Sequence, residues 1–313
     1  MPGNDGEDEK VAERSQIIKT AAGIVTYNPE IRRLQNNINA IHNQVSLVYC
    51  FDNGSVNLRE IKEICGQYDN VIVFENGENS GIAEGLNQII SEARRNGVVW
   101  LLTLDQDSVC PTGMIEKMLQ YADKPNIVAI CPRVVDHRRP VEKQKEDGVN
   151  EIDFCITSGC LVNTMESKKI GDFDSWLFIG QVDDEFCHRA MINDKKILRI
   201  NSLELDHELG ELRPSRFQKI FLRLGEILHF SKLKALSYKR KVSPMRVYYS
   251  TRNMVYLSRK YRNYPNTKFT RKRAIFNAIS NVIRGQKRIE TAKAAIRGYK
   301  EGYSVTVKVY TKE

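Results

Sequence analysis

The chain has 313 residues, of which 41% are hydrophobic and 28% charged. This is ordinary globular usage: it excludes a wholly disordered or fibrous chain and leaves room for one large or two modest domains. The net charge of +9 hides two opposite parts, because residues 212–313 hold 26 Lys/Arg against 4 Asp/Glu, a surplus of 22, while the preceding residues hold 22 against 35.

No apolar run approaches the roughly 18 residues a membrane span needs. The first twenty residues are polar and acidic, without a secretory pattern. Seven cysteines without a CxxC pair fit reduced thiols. The expectation is a soluble intracellular protein whose basic tail is either a solvated face or a surface for something anionic.

In chain order, residues 1–15 lack periodicity and read as a flexible lead. The apolar run Ile17 to Thr26 predicts a buried strand that turns at Asn28-Pro29, followed by helical spacing at Ile31, Leu34, Ile38 and Ile41. Val45 to Phe51 is a second strand, closed by the turn letters Asp52-Asn53-Gly54-Ser55. A helix from Leu58 to Tyr68, a strand from Val71 to Phe74, a helix from Ile82 to Asn96 and a strand from Val98 to Leu104 follow. Four apolar strands alternating with helices predict a mostly parallel sheet covered on both faces, with ligands at the carboxyl ends of its strands. Thr26, Asp52 and Asp105 are thereby expected to be neighbours in space.

Downstream, Met114 to Tyr121 reads as a helix, Ile127 to Cys131 as a strand and Asp136 to Asn150 as an exposed charged loop. Phe154 to Val162 reads as a strand, Gly171 to Gly180 as an aromatic-rich loop and Val182 to Met191 as a helix. From Ser215 the chain is expected to be helical, with Phe217, Ile220, Phe221, Leu224 and Leu228 on one face and Arg216, Lys219 and Arg223 on the other. A basic segment from Lys232 to Lys241 and a series of tyrosines continue it, and the alternating Val305, Val307 and Val309 suggest a strand or a frayed end.

The sharpest chemical feature is Asp105-Gln106-Asp107. Two carboxylates leaving an apolar strand can face one divalent cation; the alternative is a solvated turn. Asp52 to Ser55 can hydrogen-bond a base or ribose, or simply turn the chain. Asn79-Ser80-Gly81 presents helix N-terminal N–H groups to an anion, or caps the helix. Asp183-Asp184-Glu185 places three acids at a helix start. That placement favours the dipole, and it can also lift one carboxylate towards the pKa of a general base. His207 offers an imidazole to a metal or is structural. Walker loops, serpentine GxGxxG turns, serine elbows and CxxC pairs are absent.

In order, the strings AGIVTYNP, DNGS, NSGIAEGLN, LLTLDQDS, TSGCLVN, FIGQVDDEFCHRA, DHELG and YYSTRN resemble the family 2 glycosyltransferases of the GT-A fold. They cover about residues 18–260, and DQD in place of the commoner DDD or DAD is similar to the bacterial rhamnosyltransferase branch. The resemblance implies an α/β GT-A domain over residues 16–214 and a basic, mainly helical region over 215–313. It puts Thr26, Asn28, Asp52, Asn79, Gly81 and Asp105 around the nucleotide sugar and Arg252 on the diphosphate or a lipid phosphate. Asp107 and His207 would hold Mn²⁺ or Mg²⁺, Asp183 would be the catalytic base with Glu185 in support, and Trp176 and Ser158 would meet the acceptor. Gly180 departs from the Asp that related rhamnosyltransferases tend to carry.

The implied reaction is an inverting, metal-dependent transfer, with dTDP-L-rhamnose favoured as donor and a UDP-sugar, including galactofuranose, as the alternative. The implied acceptor is a surface polysaccharide or lipid-linked glycan, and the expected location is peripheral, at the inner face of the cell membrane, with the basic region on anionic lipid. A homodimer is admitted and nucleic acid is not expected as a partner. A sugar nucleotidyltransferase is disfavoured because Tyr27-Asn28-Pro29-Glu30 stands where its Gly-rich phosphate loop would be. A nucleic-acid binder is disfavoured because no recognition signature accompanies the charge.

Overall fold

The computed structural model describes residues 19–136, 148–206, 212–214, 218–227, 238–240, 243–264, 266–284 and 287–312. These form two compact units that divide between Asp206 and Leu212, with Lys312 grouping with the first.

The N-terminal unit is built on an eight-stranded sheet. Its first half alternates strand and helix: β1 (Thr20–Thr26), α1 (Ile31–Ile41), β2 (Leu47–Asp52), α2 (Leu58–Cys65), β3 (Val71–Glu75), α3 (Ile82–Arg95), β4 (Trp100–Asp105) and α4 (Met114–Leu119). The second half holds β5 (Ile127–Val135), β6 (Val149–Glu151), β7 (Cys160–Asn163), α5 (Thr164–Ile170), α6 (Val182–Ile192) and β8 (Lys196–Asp206). The strand order is β3-β2-β1-β4-β7-β5-β8-β6. β1, β2, β3 and β4 are parallel, as are β5 and β8, while β7 runs antiparallel to both β4 and β5 and β6 antiparallel to β8.

The sequence of each strand fits its place. β1 is buried at every position, as a central strand covered by helices on both faces must be, whereas β3, at the sheet edge, is only partly buried. The helices lay Leu34, Ile38 and Ile41 of α1, Ile61 and Ile64 of α2, and Met114, Ile115 and Met118 of α4 into one core with Ile24, Val48, Trp100 and Leu102. All seven cysteines are buried and free. Cys155 Sγ lies 3.6 Å from Cys160 Sγ and 3.8 Å from Cys187 Sγ.

Several elements differ from the sequence reading. The strand expected from Phe154 is confined to Cys160–Asn163, because only those residues find partners on β4 and β5; the stretch before it is a loop. Asp136, expected in an exposed loop, is 5% exposed, and Val149–Glu151 pairs with β8 as a strand; residues 137–147 lie outside the described residues. β8 and α5 were not anticipated. Val305, Val307 and Val309 form no strand.

The C-terminal unit contains the short antiparallel pair β9 (Leu212–Pro214) and β10 (Tyr238–Arg240) and the helices α7 (Gln218–Ile227), α8 (Pro244–Lys260), α9 (Arg271–Arg284) and α10 (Arg288–Ser304). Phe217 and Leu228 of the expected helix face lie outside the described residues. Ser243 caps α8, accepting from Arg246 N at 3.2 Å, with Pro244 in the first turn where a missing N–H is harmless. α8 and α10 approach backbone to backbone: α10 turns Ala294, Ala295, Gly298 and Gly302 inward, and a Cβ on Gly298 would collide with the carbonyl oxygen of Tyr248, one on Gly302 with that of Arg252.

Alanine is the better helix former at either site by about 1 kcal/mol, yet backbone atoms cannot step aside. Gly298→Ala is therefore expected to destabilise the chain by about 1–3 kcal/mol, read as a lower urea midpoint; a raised midpoint would mean the two helices separate freely.

Candidate active site

Parallel pairing brings the ends of three strands to one level. Thr26 is the register partner of Asp52, and Val25 that of Asp105. Thr26 Oγ1 donates to Asp52 Oδ1 at 3.2 Å, and Asp52 Oδ2 accepts the N–H groups of Gly54 and Ser55 at 3.0 and 2.9 Å. Both side chains are buried, so their visible work is to shape the turn after β2. Asn28, in the left-handed region at φ 47°, lies on the exposed side of that turn. It receives Val56 N on its Oδ1 at 2.9 Å and gives its own N–H to Ser55 Oγ at 2.8 Å.

Asn53, whose individual role the sequence did not single out, is the hub of the next layer. Its Nδ2 donates to Asn79 Oδ1 and to Gly81 O, both at 3.1 Å, and its Oδ1 accepts from Ser80 N at 2.9 Å. Gly81 needs to be glycine: its φ is 90°, and a Cβ would sit 2.5 Å from Phe178 O, the atom that accepts Ile82 N at 2.9 Å. The loop that follows α5 is thereby pinned to the start of α3. Asn87 holds it again, exchanging bonds with Phe173 N and O at 2.9 and 2.8 Å. Trp176 lies half-buried between these two anchors.

At the end of β4, Asp105 is fixed through its backbone. Its carbonyl accepts from Asn37 Nδ2 at 2.7 Å and its N–H donates to Ser158 Oγ at 3.2 Å. Ser158 is 2% exposed and also touches Ser108 Oγ at 2.6 Å, so its hydroxyl braces the strand end. Gln106 turns back to accept Tyr27 N at 2.9 Å, a bond no sequence pattern announced. Asp107 has a side chain 41% exposed, and its carboxylate meets Arg33 Nη1 at 3.4 Å.

Asp183 stands in the first turn of α6. The loop from Thr157 to Gly159 is clamped to Thr103 of β4 through Thr103 Oγ1 to Thr157 O at 2.5 Å and Gly159 N to Thr103 O at 2.8 Å. This aims Thr157 N–H at Asp183 Oδ1, 3.3 Å away. The Thr157 hydroxyl, that N–H and the helix dipole favour the ionised carboxyl. Burial outweighs them, and the charges of Asp105 and Asp184 add to it, so the Asp183 pKa is pushed up to about 7. Through Thr157, which is clamped to Thr103, Asp183 stands beside β4.

Glu185 is fully buried and grips Arg189 with both oxygens, at 2.9 and 2.8 Å. Arg189 in turn donates to the carbonyls of Ile170, at 2.8 Å, and Asp172, at 2.6 Å. Glu185 therefore anchors the helix that carries Asp183. Arg252 lies in the C-terminal unit, its guanidinium over the Tyr249 ring at 4.8 Å and 3.5 Å from Glu301.

His207 lies outside the described residues. Among the described residues no group of three or more His, Cys, Asp or Glu side chains is placed to hold a metal ion. The two carboxylates leaving β4 are hard oxygen donors, and they suit Mg²⁺ or Mn²⁺ when phosphate oxygens and water complete the shell. Of the two, the Asp107 carboxylate is the more exposed.

The chain is similar to known proteins. Residues 22–187 match the model of glycosyl transferase family 2, a span that begins in β1 and ends in α6. A dTDP-rhamnosyl transferase, RfbF, of Shigella flexneri is 28% identical over 206 residues, 61% of this chain and 69% of that protein. Among solved structures, S. aureus TarS (1–349) superposes with a TM-score of 0.51 at 14% identity, covering 90% of this chain and 89% of that one. GalNAc-T7 with UDP, GalNAc and Mn²⁺ superposes with a TM-score of 0.51 at 13% identity, covering 76% of this chain and about half, 51%, of the other. At such identities the two structures speak for the GT-A fold. With more than half its length matched to the family, and with that stretch running from the first strand to the helix of Asp183, the chain belongs to glycosyl transferase family 2 and is a glycosyltransferase enzyme resembling rhamnosyltransferases.

Proposed function

We propose that the enzyme moves a sugar, L-rhamnose from dTDP-L-rhamnose, onto a hydroxyl of a surface polysaccharide or lipid-linked glycan, with inversion and with Asp183 as general base. The observation that carries this reading is the Asp183 carboxyl, raised to about 7 beside the end of β4: a base with that pKa is half deprotonated near neutrality and strong enough to take a hydroxyl proton in the transition state. The dTDP-rhamnosyl transferase relative supports the choice of donor.

In the reaction, the acceptor hydroxyl gives its proton to Asp183 as its oxygen bonds to the anomeric carbon, and the bond from that carbon to the nucleoside diphosphate breaks on the opposite side. Thr157 N–H orients the carboxylate. The turns after β1 and β2 and the 79–81 corner receive the nucleotide, and Trp176 offers an aromatic face to the acceptor. Asp107, beside Asp105, would hold a divalent cation, which when bound supplies positive charge to the departing diphosphate. Ser158 and Glu185 act by positioning.

Asp183→Asn is expected to lower transfer by roughly a hundred- to ten-thousand-fold while nucleotide binding persists. In the unmodified enzyme kcat/KM is expected to rise as pH passes through about 7. A carboxyl whose folded pKa exceeds its unfolded value penalises the folded state once ionised. The Asn variant should therefore gain melting temperature relative to the parent from about pH 4 to about 7 and hold that gain above. Near-normal turnover in the variant would remove Asp183 as base.

Asp107→Ala is expected to abolish the effect of Mn²⁺ on dTDP affinity in calorimetry; an unchanged Mn²⁺ dependence would refute its role. In the parent, a thermal-shift panel should favour dTDP over UDP, and the reverse order would overturn the donor. Glu185→Ala leaves the Arg189 guanidinium buried without its carboxylate and is expected to destabilise by about 3–5 kcal/mol, whereas loss of turnover at unchanged stability would give Glu185 a direct chemical role.

A further inference from the structure

Helix α9 is built inside out. In an ordinary surface helix the large apolar side chains turn to the core, but in α9 the inward residues are mostly small or polar: Ala274 is 1% exposed, and Asn277, Ala278, Asn281 and Val282 are half-buried. The large apolar ones face water, with Ile275 at 45%, Phe276 at 72%, Ile279 at 55% and Ile283 at 63% exposure. Steps of three and four residues put these side chains on one stripe about 100° wide. Scattered exposed apolar residues need no explanation; a continuous stripe does.

The charge around the stripe says what covers it. Exposed Lys272 and Arg273 stand at its start, and residues 271–288 hold six Lys/Arg and no Asp/Glu. A second copy of the chain would bring like charges face to face, and a nucleic-acid backbone has no use for isoleucine and phenylalanine. A surface that is anionic outside and apolar beneath satisfies both halves of the pattern. Among the described residues no helix is long and apolar enough to cross a membrane, so the contact lies in the plane of the surface.

We propose that α9 is a lipid-contacting helix: Ile275, Phe276, Ile279 and Ile283 enter the headgroup region of an anionic phospholipid bilayer while Lys272 and Arg273 meet lipid phosphates. The inference goes beyond the transfer reaction and does not require it. Two contributions combine, apolar burial and Coulombic attraction, which is the arrangement that gives reversible attachment without a covalent anchor.

The test is flotation of the full chain with vesicles of phosphatidylcholine alone and of phosphatidylcholine with phosphatidylglycerol. The parent is expected to float with the anionic vesicles only. The double change Phe276→Ser and Ile279→Ser should lower the bound fraction about tenfold, with melting temperature and dTDP thermal shift unchanged because both side chains are exposed. Lys272→Gln with Arg273→Gln should weaken binding and its salt sensitivity together. In Phe276→Trp, emission should shift to the blue on adding anionic vesicles.

Absence of flotation with anionic vesicles would overturn the proposal, as would binding that ignores the Ser changes, which would credit diffuse charge elsewhere. A dimer in sedimentation that the Ser changes dissolve would make the stripe a contact between copies and would equally overturn it. Failure of the donor assignment would show in the nucleotide thermal shift and leave vesicle binding untouched.

Discussion

β1 runs parallel to a neighbour on each side, and this pairing sets the positions on which the chemistry depends. Because Thr26 lies opposite Asp52 and Val25 opposite Asp105, three chain segments separated by dozens of residues must end at the same level. Three turns then compete for the space above them. They are settled by polar side chains rather than by apolar packing: Thr26 on Asp52, Gln106 on Tyr27, Asn53 on the 79–81 corner, Ser158 on Asp105. The bonds of Thr26, Asn53 and Ser158 replace water that burial excludes, and a missing partner there would leave a buried polar group unsatisfied.

The Asp183 carboxyl comes from the second half of the unit, and its placement needs two anchors of different kinds. One is the Thr157–Gly159 loop, held on Thr103 of β4 and delivering an N–H to Asp183. The other is the Glu185–Arg189 pair, which fastens α6 to the end of α5 from the buried side. Asp183 is thus held against its own electrostatic preference, partly withdrawn from water and close to the charges of Asp105 and Asp184. A fold that relaxed this crowding would be more stable near neutral pH and would lose the base strength that the proposed reaction uses.

The first half of this design is legible in the sequence because β1, β2 and β4 are buried along nearly their whole length and appear as mostly apolar runs that end in turn letters. β8 was not visible for the opposite reason: Lys196, Arg199, Glu204 and Asp206 interrupt it, and its burial alternates along much of its length. The loop from Phe154 looked like strand because its residues are apolar, yet pairing partners exist only from Cys160 onward. Asp105, Asp107 and Asp183 stand out as acids at element ends, while Thr157, with its hydroxyl and N–H, and Gln106 act through long-range bonds that letters alone do not assign. In the C-terminal unit the large apolar residues of α9 and α10 are exposed while small ones are buried, so apolar periodicity does not announce which face of these helices packs.

The close approach of α8 and α10 has a bearing on how the chain tolerates sequence drift. Where two backbones meet at Gly298 and Gly302, every replacement adds atoms and none can be offset by a shrinking neighbour, since the opposing surface is main chain. Those two positions are closed to change, while the exposed Ile289 and Ile296 of the same helix can be exchanged without disturbing the joint. Descendants of this sequence can therefore vary the outward chemistry of the unit while its inner seam stays fixed.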